Sequence, residues 1–155
     1  MTELEWRFDI INFLINRVGA KKYLEIGVED GDSIKSVKCE KKHGVDPDPT
    51  KLNATHRLTS DEFFEMLAPQ VTYDVVFVDG LHVADQAERD IVNSLNHLSD
   101  GGYIVAHDCN PATAWHQRSY AEAKKNGCRS WNGDVYKAII RLRATRNDIA
   151  ICVVD

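Results

Sequence analysis

Four short runs of this chain each place an acid where an apolar stretch stops: Glu25-Ile26-Gly27, Val45-Asp46, Val78-Asp79-Gly80 and His107-Asp108. Carboxylates in such positions can hold sugar hydroxyls, a cation or a proton. Two imidazoles follow the same stops, His82 and His107, and histidine has an ordinary pKa suited to general base work. Asp46 stands 19 residues after Gly27, close to the ~20-residue offset at which an acid binds ribose hydroxyls in α/β folds. The turn after Glu25 reads "GVEDGDS": Gly27 and Gly31 share it with Glu29, Asp30 and Asp32. A glycine turn with this much negative charge selects against anionic ligands.

These residues need a scaffold that brings strand ends together. Leu4, Phe8, Ile11, Ile15 and Val18 form one helical stripe over residues 3–18, with Gly19 as its stop. "KYLEIG" reads as a strand, followed by a helix from Asp32 or Ser33. "HGVD" is a short second strand closed by two prolines, and "HRLTS" is a candidate short strand. Ser60 or Thr59 caps a helix over "DEFFEMLA". "YDVVFVDG" and "DGGYIVAHD" are continuously apolar in their cores, the pattern of strands buried on both faces. Helices are expected over "VADQAERDIVNSLNHL" and "GDVYKAIIRLRATR", and a last strand over "DIAICVVD". Residues 109–132 have no clean period and read as a long loop. Strand and helix alternate throughout, so the fold is α/β, a doubly wound and mostly parallel sheet with helices on both faces, in one domain over residues 1–155.

Composition removes several function classes. The chain has 155 residues, 43 % of them hydrophobic and 28 % charged, and 19 basic against 24 acidic residues give a net charge of −5. That is a core-forming chain with no basic stripe, which argues against nucleic acid as a partner. No apolar run is long enough for a bilayer, and "MTELEWRFDI" is acidic where a signal peptide is basic. A cytoplasmic protein without a membrane partner is expected. Cys39, Cys109, Cys128 and Cys152 form no CxxC pair, so reduced thiols are expected and a structural zinc site is not.

The ligand follows from the charge of the glycine turn. A dinucleotide needs bare backbone amides, usually from GxGxxG, to meet its pyrophosphate. Here Glu29 occupies the middle glycine position, and no GxxxxGK[ST] element exists for a triphosphate. S-adenosylmethionine has a ribose for Asp46 and carries a sulfonium and an ammonium, with no phosphate, so it fits an acidic turn better. The motifs that agree are "LEIGVEDGDS", "GVDPDP", "TSDEFF", "YDVVFVDGLHVADQAERDI", "LSDGGYIVAHDCNP" and "GDVYKAIIRLR". Taken in this order over most of the chain, they resemble the class I S-adenosylmethionine-dependent methyltransferases, in particular the small-molecule branch called methyltransferase domain 24.

The resemblance implies a Rossmann-like fold and a set of cofactor residues. Glu25, Gly27 and Gly31, with Ser33 nearby, would lie along the methionine part of the cofactor. Asp46 would bind the ribose hydroxyls and Pro47 would line the adenosine site. Ser60 and Asp61 would contact adenine, and Asp79 would stand beside the sulfonium and the acceptor. Each has a plainer role open to it: a tight turn for the glycines, a turn cap for Asp46, an N-cap for Ser60, a turn for Asp79-Gly80.

Methyl transfer is an in-line displacement, and a hydroxyl acceptor must also lose its proton to a side chain or a metal-bound base. His82 and His107 are the candidate bases, with Asp79 a third candidate catalytic residue. Some relatives bind a divalent cation with acids at the ends of the fourth and fifth strands. Asp79, His107 and Asp108 occupy comparable places here, for Mg²⁺ or, given the histidine, Mn²⁺; the alternative is that Asp108 only orients His107. The acceptor, a small molecule such as a hydroxylated metabolite or sugar, would enter under residues 109–132, which carry Trp115, His116, Arg118, Tyr120, Arg129 and Trp131.

Class I methyltransferases close their sheet with an antiparallel hairpin. This chain stops at "ICVVD", so an incomplete C-terminal hairpin is expected, with an open edge that a homodimer would cover. Two other readings stay open on the sequence: a nucleotide-cofactor (NAD(P)) oxidoreductase, and a non-catalytic S-adenosylmethionine-binding module.

Overall fold

A computed structural model describes residues 6–127 and 131–154. Leu4, Cys128, Arg129 and Asp155, named above, lie outside the described residues. The chain forms two compact units, one from residues 1–80 and 90–106, the other from residues 81–89 and 107–155.

The first unit is built on a four-stranded parallel sheet: β1 (Lys22–Ile26), β2 (Lys41–Val45), β3 (Tyr73–Val78) and β4 (Leu98–Ala106), in the spatial order β2-β1-β3-β4. Of the two strands expected to be buried on both faces, β3 is so placed, with Val75 and Val76 wholly buried, whereas β4 stands at an edge of the sheet and is only half-buried, because no strand among the described residues pairs with its outer side. Alternation along the strands assigns the two faces, except at Tyr73, which a register shift before Val75 turns to the other side. Tyr23, Val75 and Phe77 pack with Ile11 and Ile15 of α1 (Arg7–Val18) and Ile34 of α2 (Asp32–Ser36). On the opposite face His43 meets His56 and Tyr73 edge to face, and His56 in turn meets Phe63 of α3 (Ser60–Met66). Helices therefore cover both faces, as the strand–helix alternation requires. Gly44 follows from this arrangement: a Cβ there would stand 2.7 Å from the Ile34 side chain.

Local signals end the helices where the sequence predicts. Gly19 adopts φ 63° and its amide donates to the carbonyls of Asn16 and Ile15, closing α1. Thr59 is the N-cap of α3, its hydroxyl accepting the Glu62 amide while Glu62 bonds back to the Thr59 amide. Ser60 is thus the first helical residue and not the cap. "HRLTS" contributes a single parallel bridge, His56 to Val45, in place of a strand.

The second unit differs from expectation in two places. Residues 109–132 carry a short 3₁₀ turn (Ala114–Gln117) and α5 (Tyr120–Lys125) where a structureless loop was expected. Ser119 and Glu122 form a capping box that starts α5, and this S-x-x-E signal stands in the sequence. The expected last strand does not form: residues 148–154 have no strand, and Cys152, Val153 and Val154 are exposed. An apolar run makes a strand only where a neighbouring edge takes its hydrogen bonds, and among the described residues none does so. α6 (Tyr136–Thr145) forms as expected and buries Ala138 and Leu142. α4 (Ala84–Asn96) begins in this unit, where Arg141 of α6 pairs with Asp85 and Glu88.

Candidate functional site

In the first unit the carboxyl ends of β1, β2 and β3 are locked to one another. The Gly27 amide donates to Val45 O at 2.9 Å, and the Asp79 amide donates to Ile26 O at 2.8 Å. Gly27 has φ 84°, and a Cβ on it would stand 2.1 Å from the Asp79 carbonyl oxygen. Only glycine fits between these two strand ends. Gly31 has φ 77° and lies against the Asn53 amide, 2.3 Å from where its Cβ would be.

Asp46 holds the turn that follows. Its Oδ2 accepts the amides of Val28 (3.0 Å) and Glu29 (3.1 Å), and its Oδ1 accepts the Asp48 amide (2.9 Å). Glu29, at φ 45°, is one of two non-glycine residues with left-handed backbone among those described, and the Asp46 carboxylate fixes it there. Such a backbone costs on the order of 1–3 kcal/mol and persists where the surroundings over-determine it. Two amides of the glycine turn, those of Val28 and Glu29, are therefore already taken by a carboxylate.

Glu25 is buried, and the Tyr23 hydroxyl donates to its Oε2 at 2.6 Å. Burial pushes its carboxyl up to about 7. The charge of Asp79 pushes the same way, while the Tyr23 hydrogen bond, the Arg7 charge and the Ile34 amide pull against it. Ser33 is buried too, and its hydroxyl accepts from Arg7 Nε at 2.8 Å. Pro47 is exposed just past Asp46, Ser60 is half-buried at the start of α3, and Asp61 beside it is exposed. Tyr23, Arg7 and Asn53 are partners that sequence reasoning did not identify; nothing in their spacing marks them.

The second unit gathers the other candidates. Asp108, itself left-handed at φ 56°, has its Oδ2 3.1 Å from His82 Nε2 and 3.3 Å from His107 Nδ1. Asn132 Nδ2 donates to the other carboxylate oxygen at 2.5 Å. The Trp131 indole stacks on His82 with ring centres 4.4 Å apart, and its Nε1 donates to Arg118 O at 2.6 Å. Gly133, at φ 63°, backs against the His82 carbonyl, which a Cβ would approach to 2.0 Å. The "WNG" run thus fixes both members of a carboxylate–imidazole pair. One carboxylate orienting two imidazoles can set a base or contribute ligands to a cation.

Comparison with known proteins agrees with this geometry. A methyltransferase domain model matches residues 24–109, more than half of the chain. No curated protein sequence matches significantly. Among solved structures, the SAH-bound methyltransferase PaMTH1 of Podospora anserina superposes with a TM-score of 0.65 at 17 % identity, covering 96 % of this chain and 74 % of its own. A provisionally assigned O-methyltransferase of Klebsiella pneumoniae gives 0.60 at 14 % identity, over 92 % of this chain and 68 % of that one. The matched span runs from Leu24 within β1 to the residue after Asp108, and with the parallel sheet and its interlocked strand ends it makes the chain a member of the methyltransferase domain family, the class I S-adenosylmethionine-dependent methyltransferases.

Proposed function

We propose that this enzyme methylates an oxygen of a small hydroxylated acceptor, with the cofactor held by the acidic strand ends of the first unit. The observation that carries the cofactor assignment is the Asp46 carboxylate on the amides of Val28 and Glu29. It occupies two amides of the turn, which counts against a pyrophosphate and so against an NAD(P) oxidoreductase, and it leaves a negative field suited to a sulfonium and an ammonium. A carboxylate has about four lone-pair sites, and three backbone amides use part of that capacity in Asp46; the remainder would take a ribose hydroxyl. Glu25, Gly27, Gly31 and Ser33 would line the methionine side, Pro47, Ser60 and Asp61 the adenosine side, and Asp79 the end nearest the reacting methyl. When bound, S-adenosylmethionine supplies a methyl group on an electrophilic sulfur. The protein's own part is to align the acceptor and to take its proton.

His107 is the better candidate for that proton. It keeps Nδ1 toward Asp108 and its side chain is 38 % exposed, against 20 % for His82. A proton shared between Nδ1 and Asp108 would leave Nε2 as the acceptor. A second reading has Asp108 with the His82 and His107 imidazoles binding a divalent cation that would hold the acceptor hydroxyl; the two imidazole nitrogens beside one carboxylate oxygen favour it, and favour Mn²⁺ over Mg²⁺.

Calorimetric titration with S-adenosylmethionine and S-adenosylhomocysteine tests the cofactor reading. Saturable binding by the wild type and its loss in Asp46→Ala are expected. A folded wild-type protein that binds neither ligand would overturn it. Turnover after dialysis against EDTA separates the two acceptor readings: activity that survives supports His107 as a metal-free base, and activity restored only by Mn²⁺ or Mg²⁺ supports the cation. Asp108→Asn should lower kcat by about 10²-fold under either.

A further inference from the structure

No acid among the described residues hydrogen-bonds to Arg118, although its charge adds to the Ser119 hydrogen bonds in holding the Glu122 carboxyl below its ordinary range. All three guanidinium nitrogens are sealed from solvent and have no hydrogen-bond partner among the described residues. The guanidinium carbon lies 3.4 Å from the centre of the Trp115 ring. The acid near it in sequence is Glu122, whose carboxylate is committed to the Ser119 amide and hydroxyl at 3.1 and 2.7 Å. Stacking on an indole offsets only part of the cost of desolvating a cation that has no hydrogen-bond acceptor. The position is therefore one that an oxyanion would relieve.

The backbone around Arg118 is anchored, so its side chain is aimed and not adrift. The Arg118 carbonyl takes the Trp131 indole N–H, and that indole stacks on His82. The His116 carbonyl takes the amides of Asn132 and Gly133, and Asn132 binds Asp108. Arg118 is thus tied, through Trp131 and Asn132, to the pair that would handle the acceptor's proton. Trp115 stacks on it from a four-residue 3₁₀ turn and is itself 56 % exposed. A guanidinium with one face on an indole offers its in-plane N–H groups, which match a planar carboxylate two bonds at a time.

The geometry points to Arg118, under Trp115, as the recognition site for a carboxylate on the methyl acceptor, so that the substrate is a hydroxylated carboxylic acid. This rests on the methyl-transfer reading above and adds the charge of the acceptor to it. The test uses 4-hydroxybenzoate and 4-hydroxybenzamide, nearly equal in shape and different in charge. Each is titrated calorimetrically into the wild type, R118K and R118Q, with and without S-adenosylhomocysteine. The wild type should bind the carboxylate at least ~10-fold more tightly than the amide, as expected of a charge-assisted bidentate pair. The ratio should fall to about one in R118Q and partly recover in R118K, with amide affinity unchanged, because Lys keeps the charge and loses the fork. Equal affinities in the wild type, no binding of the carboxylate, or an undiminished ratio in R118Q would each overturn the assignment. Binding of S-adenosylhomocysteine keeps the two proposals apart. Failed charge discrimination with cofactor binding intact sinks only the carboxylate site, and failed cofactor binding sinks the methyl-transfer reading. Circular dichroism of both variants verifies that they are folded.

Discussion

Glu25 makes the clearest residue-scale prediction. Its folded carboxyl is raised from 4.5 to about 7, so between those values the folded protein keeps a proton that the unfolded chain releases. Stability from this group is fully present below pH 4.5 and is lost as pH rises through 7. At about 1.4 kcal/mol per pKa unit the loss is on the order of 3 kcal/mol. Glu25→Gln keeps an acceptor for Tyr23 and cannot ionise. Urea denaturation should find it close to wild type at pH 5 and more stable at pH 8; equal stabilities at pH 8 would refute the raised pKa. Asp46 shows what sequence could and could not give at this scale. Its distance from Gly27 marks it as a ligand candidate, but its clamp on two amides depends on how a left-handed Glu29 turns the loop, which no spacing encodes. The same holds for Asp108, legible as a strand-end acid yet tied to Asn132, 24 positions away.

Elements were legible where burial and hydrogen bonding agree. β1 and β3 and the core of β4 follow from apolar runs that neighbouring strands pair, and α1 and α6 from their stripes. The last apolar run failed because its side chains stay exposed. α5 was hidden because its six residues are too few to show a period, although Ser119 and Glu122 announce its start. The strand ends give an element-scale prediction. Gly27→Ala must push a Cβ into the Asp79 carbonyl at φ 84°, so it should cost more than about 3 kcal/mol and spread β1 from β3. Gly19→Ala is the control: it has φ 63° and nothing within 4 Å of the added carbon, and should cost only about 1 kcal/mol of left-handed backbone strain. Denaturation midpoints of the two variants decide it.

For the whole molecule, the sheet leaves β2 and β4 as its edges. A nine-residue parallel edge strand, unpaired on its outer side among the described residues, is a template for association. We expect a homodimer, so light scattering should return twice the chain mass; a monodisperse monomer would remove the idea. No helix among the described residues is long and apolar enough to cross a membrane. The α/β class, the parallel sheet and the methyltransferase family could all be reached from strand–helix alternation and six ordered motifs. The division into two units could not, because it depends on long-range contacts that interrupt the sequence order.

The Asp46 clamp has a thermodynamic corollary. A loop whose amides are bonded before any ligand arrives has already lost its conformational freedom, so binding need not supply that entropy. Amide hydrogen exchange at Val28 and Glu29 should therefore be slow in the free protein and change little on saturation. The affinity of the cofactor should then be carried by direct contacts, with no ordering penalty from this turn.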